Sequence, residues 1–154
     1  MNRLRLLERV DARWGALSES YAGLSLAEMV EPGVTATWSV KDIVAHVTSW
    51  EEEALKHLPV ILAGGRPPRY AVTHGGIDAF NAQTTERNRD APLFEVLRRR
   101  DDTHRRLRTF IEDMPEAALA AETRARRRLR LDTYGHYVVH TKAIQRWRER
   151  RPAG

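Results

Sequence analysis

The chain contains no cysteine in its 154 residues, which excludes disulfides, thiolate metal ligands and a cysteine nucleophile. Any nucleophile must therefore be water, a hydroxyl, a carboxylate or an external thiol. The sequence also lacks a run approaching the roughly 18 apolar residues that span a membrane, and its N-terminus lacks the pattern of a secretion signal. We therefore expect a cytoplasmic protein with no membrane contact, folded as one domain over residues 1–154.

Nucleotide-binding and hydrolase motifs are absent as well: there is no P-loop, dinucleotide fingerprint or G-x-S-x-G. The charge is uneven, because residues 1–95 hold 10 Lys/Arg and 13 Asp/Glu, whereas residues 96–154 hold 16 and 8. A basic half can attract nucleic acid, but the run Arg126–Arg128 has no interleaved aromatic residues for stacking bases. We therefore expect solvated helix faces here rather than a nucleic-acid interface.

Helical periodicity dominates what is present. Apolar residues recur with spacings of 3 and 4 over residues 7–21, 40–61, 93–114 and 137–147, which is typical of amphipathic helices. The long Gly/Pro-rich connection after the second helix predicts a crossover that carries a short helix over residues 77–89. The sequence therefore predicts an all-α protein, a four-helix bundle with a long crossover between helices 2 and 3.

Helix boundaries follow from the capping residues. Ser39 is predicted to cap the second helix, and Asp90 the third, with Pro92 in its first turn. Asp132 or Thr133 is predicted to cap the last helix. Residues 116–131 are basic and have no clear apolar stripe, so we predict an irregular segment there.

The histidines carry the strongest functional signal. His136 and His140 lie one turn apart on the last helix, roughly 6 Å apart at Cβ, which suits two ligands of one ion. His46 lies at the edge of the inward face of the second helix and can meet them. Three imidazoles would hold Zn²⁺, Ni²⁺ or Fe²⁺ and leave positions for water or substrate. Spacing alone leaves open that these are ordinary buried or surface histidines.

Other polar residues are weaker candidates. Glu53 lies two turns after His46 and could act as a general base or support a metal ligand, or be a solvated glutamate. Asn81 could line the mouth of a pocket, or merely turn the chain. His104 falls on the inward face of the third helix, where a hydrogen-bonded core histidine is the simpler interpretation.

Two motifs resemble a known family. The stretch WSVKDIVAHVTSWE (residues 38–51) resembles the second-helix motif of the DinB-like superfamily, and GHYVVHTKAIQRW (residues 135–147) is similar to its C-terminal helix. The segments IDAFN (residues 77–81) and FIEDMP (residues 110–115) are similar to the ClbS/DfsB branch. The resemblance spans roughly residues 2–150.

The resemblance implies a four-helix bundle with a crossover, and a divalent ion held by His46, His136 and His140. Members of the superfamily include metal-dependent thiol transferases and an isomerase that uses a low-molecular-weight thiol. ClbS-like members are self-resistance proteins that open a reactive cyclopropane by hydrolysis. Some of that branch lack a complete triad, whereas this chain keeps all three positions.

These observations lead to a metal-binding enzyme as the first functional hypothesis. It would hydrolyse an electrophilic small molecule or add a thiol to it, in detoxification or self-resistance, with a low-molecular-weight thiol as co-substrate in the second case. The alternatives are a binding protein that sequesters such a molecule without turnover and, third, a DNA-associated stress protein. The many Trp and Leu side chains further suggest a homodimer.

Overall fold

The structure, a computed structural model, describes residues 2–152. Within them the chain is helical, with no strand, as predicted. The four long helices are α1 (Arg3–Ser20), α3 (Val40–Leu62), α6 (Leu93–Asp113) and α8 (Tyr134–Arg150). The shorter ones are α2 (Leu26–Met29), α4 (Tyr70–Thr73), α5 (Ile77–Asn88) and α7 (Arg124–Asp132), with a 3₁₀ turn at Glu116–Leu119.

The four long helices form a closed ring. Helix α1 packs against α6 and α8, and α3 packs against the same two helices from the other side. Their apolar stripes meet in one core that contains Val10, Ile43, Leu107 and Ile144, all fully buried. The predicted bundle is therefore confirmed, and the crossover from α3 to α6 carries α4 and α5.

The start of α3 shows why the sequence specified it so clearly. The Ser39 hydroxyl accepts a hydrogen bond from the Asp42 backbone N–H at 3.1 Å, and the Asp42 carboxylate accepts one from the Ser39 N–H at 2.9 Å. This reciprocal capping box satisfies two backbone donors that an uncapped helix would leave unpaired. The predicted Ser39 cap is confirmed, and it fixes the register that carries His46 into the core.

Two predictions about the second half of the chain are wrong, the irregular segment at residues 116–131 and the Asp90 cap. Residues 116–131 are ordered as the 3₁₀ turn and α7, capped by the Thr123 hydroxyl. Of the two residues predicted to cap the last helix, Thr133 occupies the N-cap position of α8, without a side-chain cap bond, and Asp132 is the last residue of α7. Helix α6 has Pro92 as its N-cap residue and no side-chain cap, so Asp90 does not cap it.

The surplus of aromatic side chains is used inside the chain. Trp50 and Trp147 are buried, and Trp14 and Trp38 pack against the core from its edge. The tryptophan part of the argument for a homodimer therefore loses its support, whereas Leu4, Leu26 and Leu131 are exposed, and the dimer stays a prediction. No helix among the described residues has the length and apolar character needed to cross a bilayer.

Candidate metal centre

Three histidine side chains from two helices converge inside the bundle. The His46 Nε2 lies 3.0 Å from the His136 Nε2, and the His140 Nε2 lies 2.9 Å from the same atom. One ring nitrogen from each of the three lies within 4.8 Å of the others. We call His46, His136 and His140 the histidine triad. Helix α3 supplies the first ring, and one turn of α8 supplies the other two.

Hydrogen bonding alone does not account for these contacts. An imidazole Nε2 offers one in-plane position, which holds either a proton or a lone pair. The His136 Nε2 faces two other Nε2 atoms, so with neutral rings it can form a good hydrogen bond with only one of them. The remaining contact, at about 3 Å, then shares the same proton or lone pair in a poorly directed bond, or opposes two lone pairs or two N–H groups. A cation between the nitrogens would remove this conflict.

The spacing fits a metal ion. Nitrogen ligands at roughly 2.0–2.1 Å from one ion, with angles between the octahedral and tetrahedral values, lie roughly 2.9–3.4 Å from each other. The two Nε2 separations of 3.0 and 2.9 Å fall in this range. Neutral imidazoles suit Zn²⁺, Ni²⁺ and Fe²⁺, so the donor set fits the expected ion.

Burial keeps these rings neutral. It lowers the pKa of His46 to about 2, aided by the neighbouring His136 and His140, and lowers the pKa of His136 to about 3, aided by His140. Burial also lowers the pKa of His140 to about 4. A metal ligand must be an unprotonated imidazole. The triad therefore stays competent to bind an ion well below neutral pH.

Packing sets the orientation of the rings. The Trp38 ring lies 4.7 Å from that of His46 between centroids, and the triad rings meet one another edge to face at 4.6–4.9 Å. Metal-bound histidines usually donate their second N–H to a carbonyl or carboxylate. Here the three Nδ1 atoms are buried without a protein partner among the described residues. Aromatic packing and the helix register therefore hold the geometry.

A cavity of about 400 Å³ opens beside the triad. We call it the triad cavity. Its walls combine triad rings with apolar and polar side chains from α3, α4, α5 and α7. It is lined by His46, His136, Trp50, Tyr70, Ile77, Asn81, Arg128, Leu131 and Asp132. This volume is within the range of small-molecule sites.

Asn81 lies in this wall, as the sequence suggested for a residue at a pocket mouth. Its side-chain carbonyl accepts a 2.9 Å hydrogen bond from the Trp50 Nε1–H. The Trp50 ring in turn contacts Tyr70 and Phe80, with centroids 5.3 and 5.0 Å away. Asn81 thus holds an aromatic wall residue in place, and whether it takes part in chemistry stays a prediction.

Glu53 is largely buried, but it does not line the cavity. Its Oε1 accepts a 3.0 Å hydrogen bond from the Tyr70 hydroxyl and lies 3.2 Å from the His57 Nε2. The Arg128 Nη2 donates to the same hydroxyl, and the Arg128 Nε donates to the Asp132 Oδ2 at 2.6 Å. We call these five side chains the Tyr70 network. It ties the crossover to α3 and α7, so Glu53 reaches the cavity through Tyr70.

A second buried polar group lies deeper in the bundle. Glu51 is fully buried, and its Oε2 lies 2.9 Å from both the His104 Nδ1 and the Tyr137 hydroxyl. Burial raises the pKa of Glu51, although His104 and Tyr137 oppose the shift. The predicted hydrogen-bonded core role of His104 is confirmed. The cluster joins α3, α6 and α8.

Sequence reasoning missed three polar residues of the cavity wall. Tyr70 lies in a Gly/Pro-rich segment interpreted as a loop, Arg128 in a run interpreted as solvated charge, and Asp132 at a position interpreted as a cap. The inward faces of α4 and α7 hold them at the cavity, and neither helix was predicted. The i, i+4 spacing of Arg128 and Asp132 was the available signal.

Comparisons with known proteins agree with this architecture. A model of the DinB superfamily matches residues 9–142. The crystal structure of the colibactin self-resistance protein ClbS in complex with a dsDNA is similar at a TM-score of 0.82 and 16% identity, over 98% of each chain. The structure of a sibling lethal factor precursor, DfsB, is similar at 0.81 and 15% identity, over 99% of each chain. At such identities the likeness shows a shared fold. A search of curated protein sequences gives no significant match.

Proposed function

Because the chain belongs to the DinB superfamily and three imidazoles, two buried and one half-buried, converge within it, we propose that it is a divalent-metal-dependent enzyme acting on an electrophilic small molecule. The reaction is hydrolysis, or addition of a low-molecular-weight thiol, and its purpose is detoxification or self-resistance. The observation that carries this proposal is the approach of the His136 Nε2 to within 3.0 Å of the His46 Nε2 and 2.9 Å of the His140 Nε2.

The residues of the cavity have separable roles in this proposal. A divalent ion held by the triad would lower the pKa of a water molecule or a thiol, which makes a nucleophile available near neutral pH. Trp50, Ile77 and Leu131 offer apolar surface to the body of the substrate and exclude water from it. Asn81 fixes Trp50, and Glu53 fixes Tyr70. A polar electrophile with an apolar body fits such a wall.

Metal content tests the centre directly. Protein purified without a histidine tag should contain about one equivalent of Zn, Ni or Fe by elemental analysis, and His140→Ala should lose it. His74→Ala is the matched control, since His74 lies in the crossover, where it forms a hydrogen bond with Gln83, and is not part of the triad. Stoichiometric metal in His140→Ala would refute the ligand assignment.

Turnover separates an enzyme from a sequestering protein. A panel of strained-ring and thiol-reactive compounds is incubated with the metal-loaded protein, with and without a small thiol, and product is quantified over many equivalents. We expect multiple turnovers. Saturable binding that stops at one equivalent would favour the sequestering alternative on the same scaffold.

Association with duplex DNA is a second candidate function. The ClbS structure contains dsDNA, and residues 124–151 of this chain hold ten Lys/Arg against two Asp/Glu. The sequence expectation against nucleic acid rested on the lack of a single-strand stacking platform, and duplex binding through phosphate contacts needs no such platform. Titration with duplex DNA at several salt concentrations tests it. Absence of a steep salt dependence would remove this candidate.

A further inference from the structure

The wall of the triad cavity contains one carboxylate among its described lining residues, that of Asp132. Asp132 is the last residue of α7, four positions before His136, and only 3% of it is exposed. A carboxylate so deeply buried loses much of its hydration, and this loss costs free energy unless neighbouring groups pair with the charge. Such carboxylates concentrate at functional sites. Arg128 compensates it in part, by donating its Nε–H to the Oδ2 at 2.6 Å.

The neighbouring polar groups are poor proton acceptors for a substrate in this cavity. The Glu53 Oε1 is engaged by Tyr70 and His57 and lies behind the wall. Burial raises the pKa of the Tyr70 hydroxyl above its ordinary value, so the phenol keeps its proton. Asn81 has no basic site. The triad rings are reserved for the ion under the proposed function.

Resting on that proposed function, the geometry points to Asp132 as the catalytic base of the triad cavity, the group that takes the proton from the attacking water or thiol. The O–H or S–H bond of the nucleophile breaks toward the Asp132 carboxylate while oxygen or sulfur bonds to the electrophilic carbon. The bond from that carbon to its leaving atom breaks, and the electron pair stays on the leaving atom. Asp132 then returns the proton to that atom, so protons and electrons balance.

The surroundings of Asp132 suit this role at physiological pH. Burial raises the pKa of Asp132 to about 6, Arg128 acts in the opposite direction, and the nearby Glu53 adds to the rise. The other titratable groups that line the cavity are His46 on α3, Tyr70 on α4 and His136 on α8, which burial keeps neutral. A base with a pKa near the working pH is the most effective for proton transfer.

A metal-independent probe tests Asp132 as a base that substrates can reach. The Kemp substrate 5-nitrobenzisoxazole is a flat aromatic molecule that fits a cavity of about 400 Å³. A carboxylate removes its ring C–H proton, the N–O bond breaks, and a coloured cyanophenolate forms. The assay uses the full chain as purified and again after chelation, with metal content measured in each sample. The variants are Asp132→Asn, which can keep the bond to Arg128, and Asp102→Asn, an exposed aspartate paired with Arg105 on α6.

We expect Asp132→Asn to lose on the order of 10²-fold in the rate of elimination, while Asp102→Asn and the metal content of both variants stay unchanged. In the wild-type protein alone, the rate should rise with pH through a midpoint near 6, which keeps the test independent of the folding of the variant. Equal rates in wild type and Asp132→Asn, or a flat pH profile, would overturn the proposal. Because this elimination needs no metal ion, acceleration that depends on Asp132 in the chelated protein supports the base alone, and the metal-dependent function is tested separately by the metal content of the protein as purified.

Discussion

Lowering the pH should destabilise the metal-free protein through the histidine triad. Each ring has an ordinary pKa of 6.5 when the chain is unfolded and a pKa of about 2 to 4 in the folded state. Below pH 6.5 the rings therefore bind protons in the unfolded chain but stay unprotonated in the folded chain. The sign follows from linkage: stability is constant above pH 6.5 on this account and falls as the pH drops below it.

The expected magnitude is large for such a small domain. Between pH 6 and pH 5 a ring of the unfolded chain is about nine-tenths protonated. Its protonation therefore lowers the free energy of unfolding by about 1.2 kcal/mol per pH unit. Three rings together cost roughly 3–4 kcal/mol over that unit. Asp132 opposes this, because its folded pKa of about 6 lies above its ordinary 3.8. The total slope is thus smaller than the contribution of the triad.

A variant isolates the contribution of one ring. His140→Asn removes one of the three groups and leaves Asp132 and the other titrating residues in place. The slope of unfolding free energy against pH, measured by urea denaturation of chelated protein between pH 5 and 6, should therefore fall by about 1.2 kcal/mol per pH unit. An unchanged slope would mean that the His140 ring is charged or exposed in the folded protein. The account of the triad as buried neutral ligands would then be wrong.

Three further predictions concern stability, each measured by urea denaturation near neutral pH. Ser39→Ala should cost about 1 kcal/mol by removing the cap of α3, and an unaffected stability would contradict the capping box. Glu51→Ala should cost about 3 kcal/mol, because it leaves buried partners without their acceptor, whereas Glu51→Gln should cost clearly less. Gly135→Ala should destabilise by about 1–2 kcal/mol, since a Cβ there would lie 2.8 Å from the Arg130 carbonyl oxygen. The matched Gly15→Ala in α1 meets no atom within 4 Å and should stabilise by about 0.5–1 kcal/mol, and equal effects of the two glycine changes would contradict the steric argument.

The long helices were predictable because their stripes and their packing agree. In α3 every position of the predicted stripe from Val40 to His57 is buried, as is the whole run of residues 43–51, and the cap lies where the sequence placed it. Helix α7 was not predictable in the same way. Five of its nine residues are arginine, so no apolar stripe in the sequence identifies the side that packs inward. Arg126, which donates to the Tyr134 hydroxyl and the Leu119 carbonyl, is part of the buried side.

Glu51 illustrates the same limit in α3. It lies four residues after Val47 and three before Ala54, both buried, so periodicity alone would have directed it inward. Its charge favoured exposure to solvent. The structure shows it buried because His104 on α6 and Tyr137 on α8 hydrogen-bond its carboxylate. The periodic pattern identifies a face, but a buried charge also needs partners that lie far away in the sequence.

The same reasoning explains why the triad was accessible to sequence analysis and its cavity was not. Two triad rings share one helical turn, so their approach is local, whereas spacing left the part of His46 open and the resemblance to the DinB-like superfamily implied it. The cavity wall depends instead on α4 and α7, whose polar residues match none of the local patterns. Asp132 and Arg128 contradict the preference of charged groups for solvent. Such departures from local rules concentrate where a protein binds or reacts, and here they surround the space beside the three imidazoles.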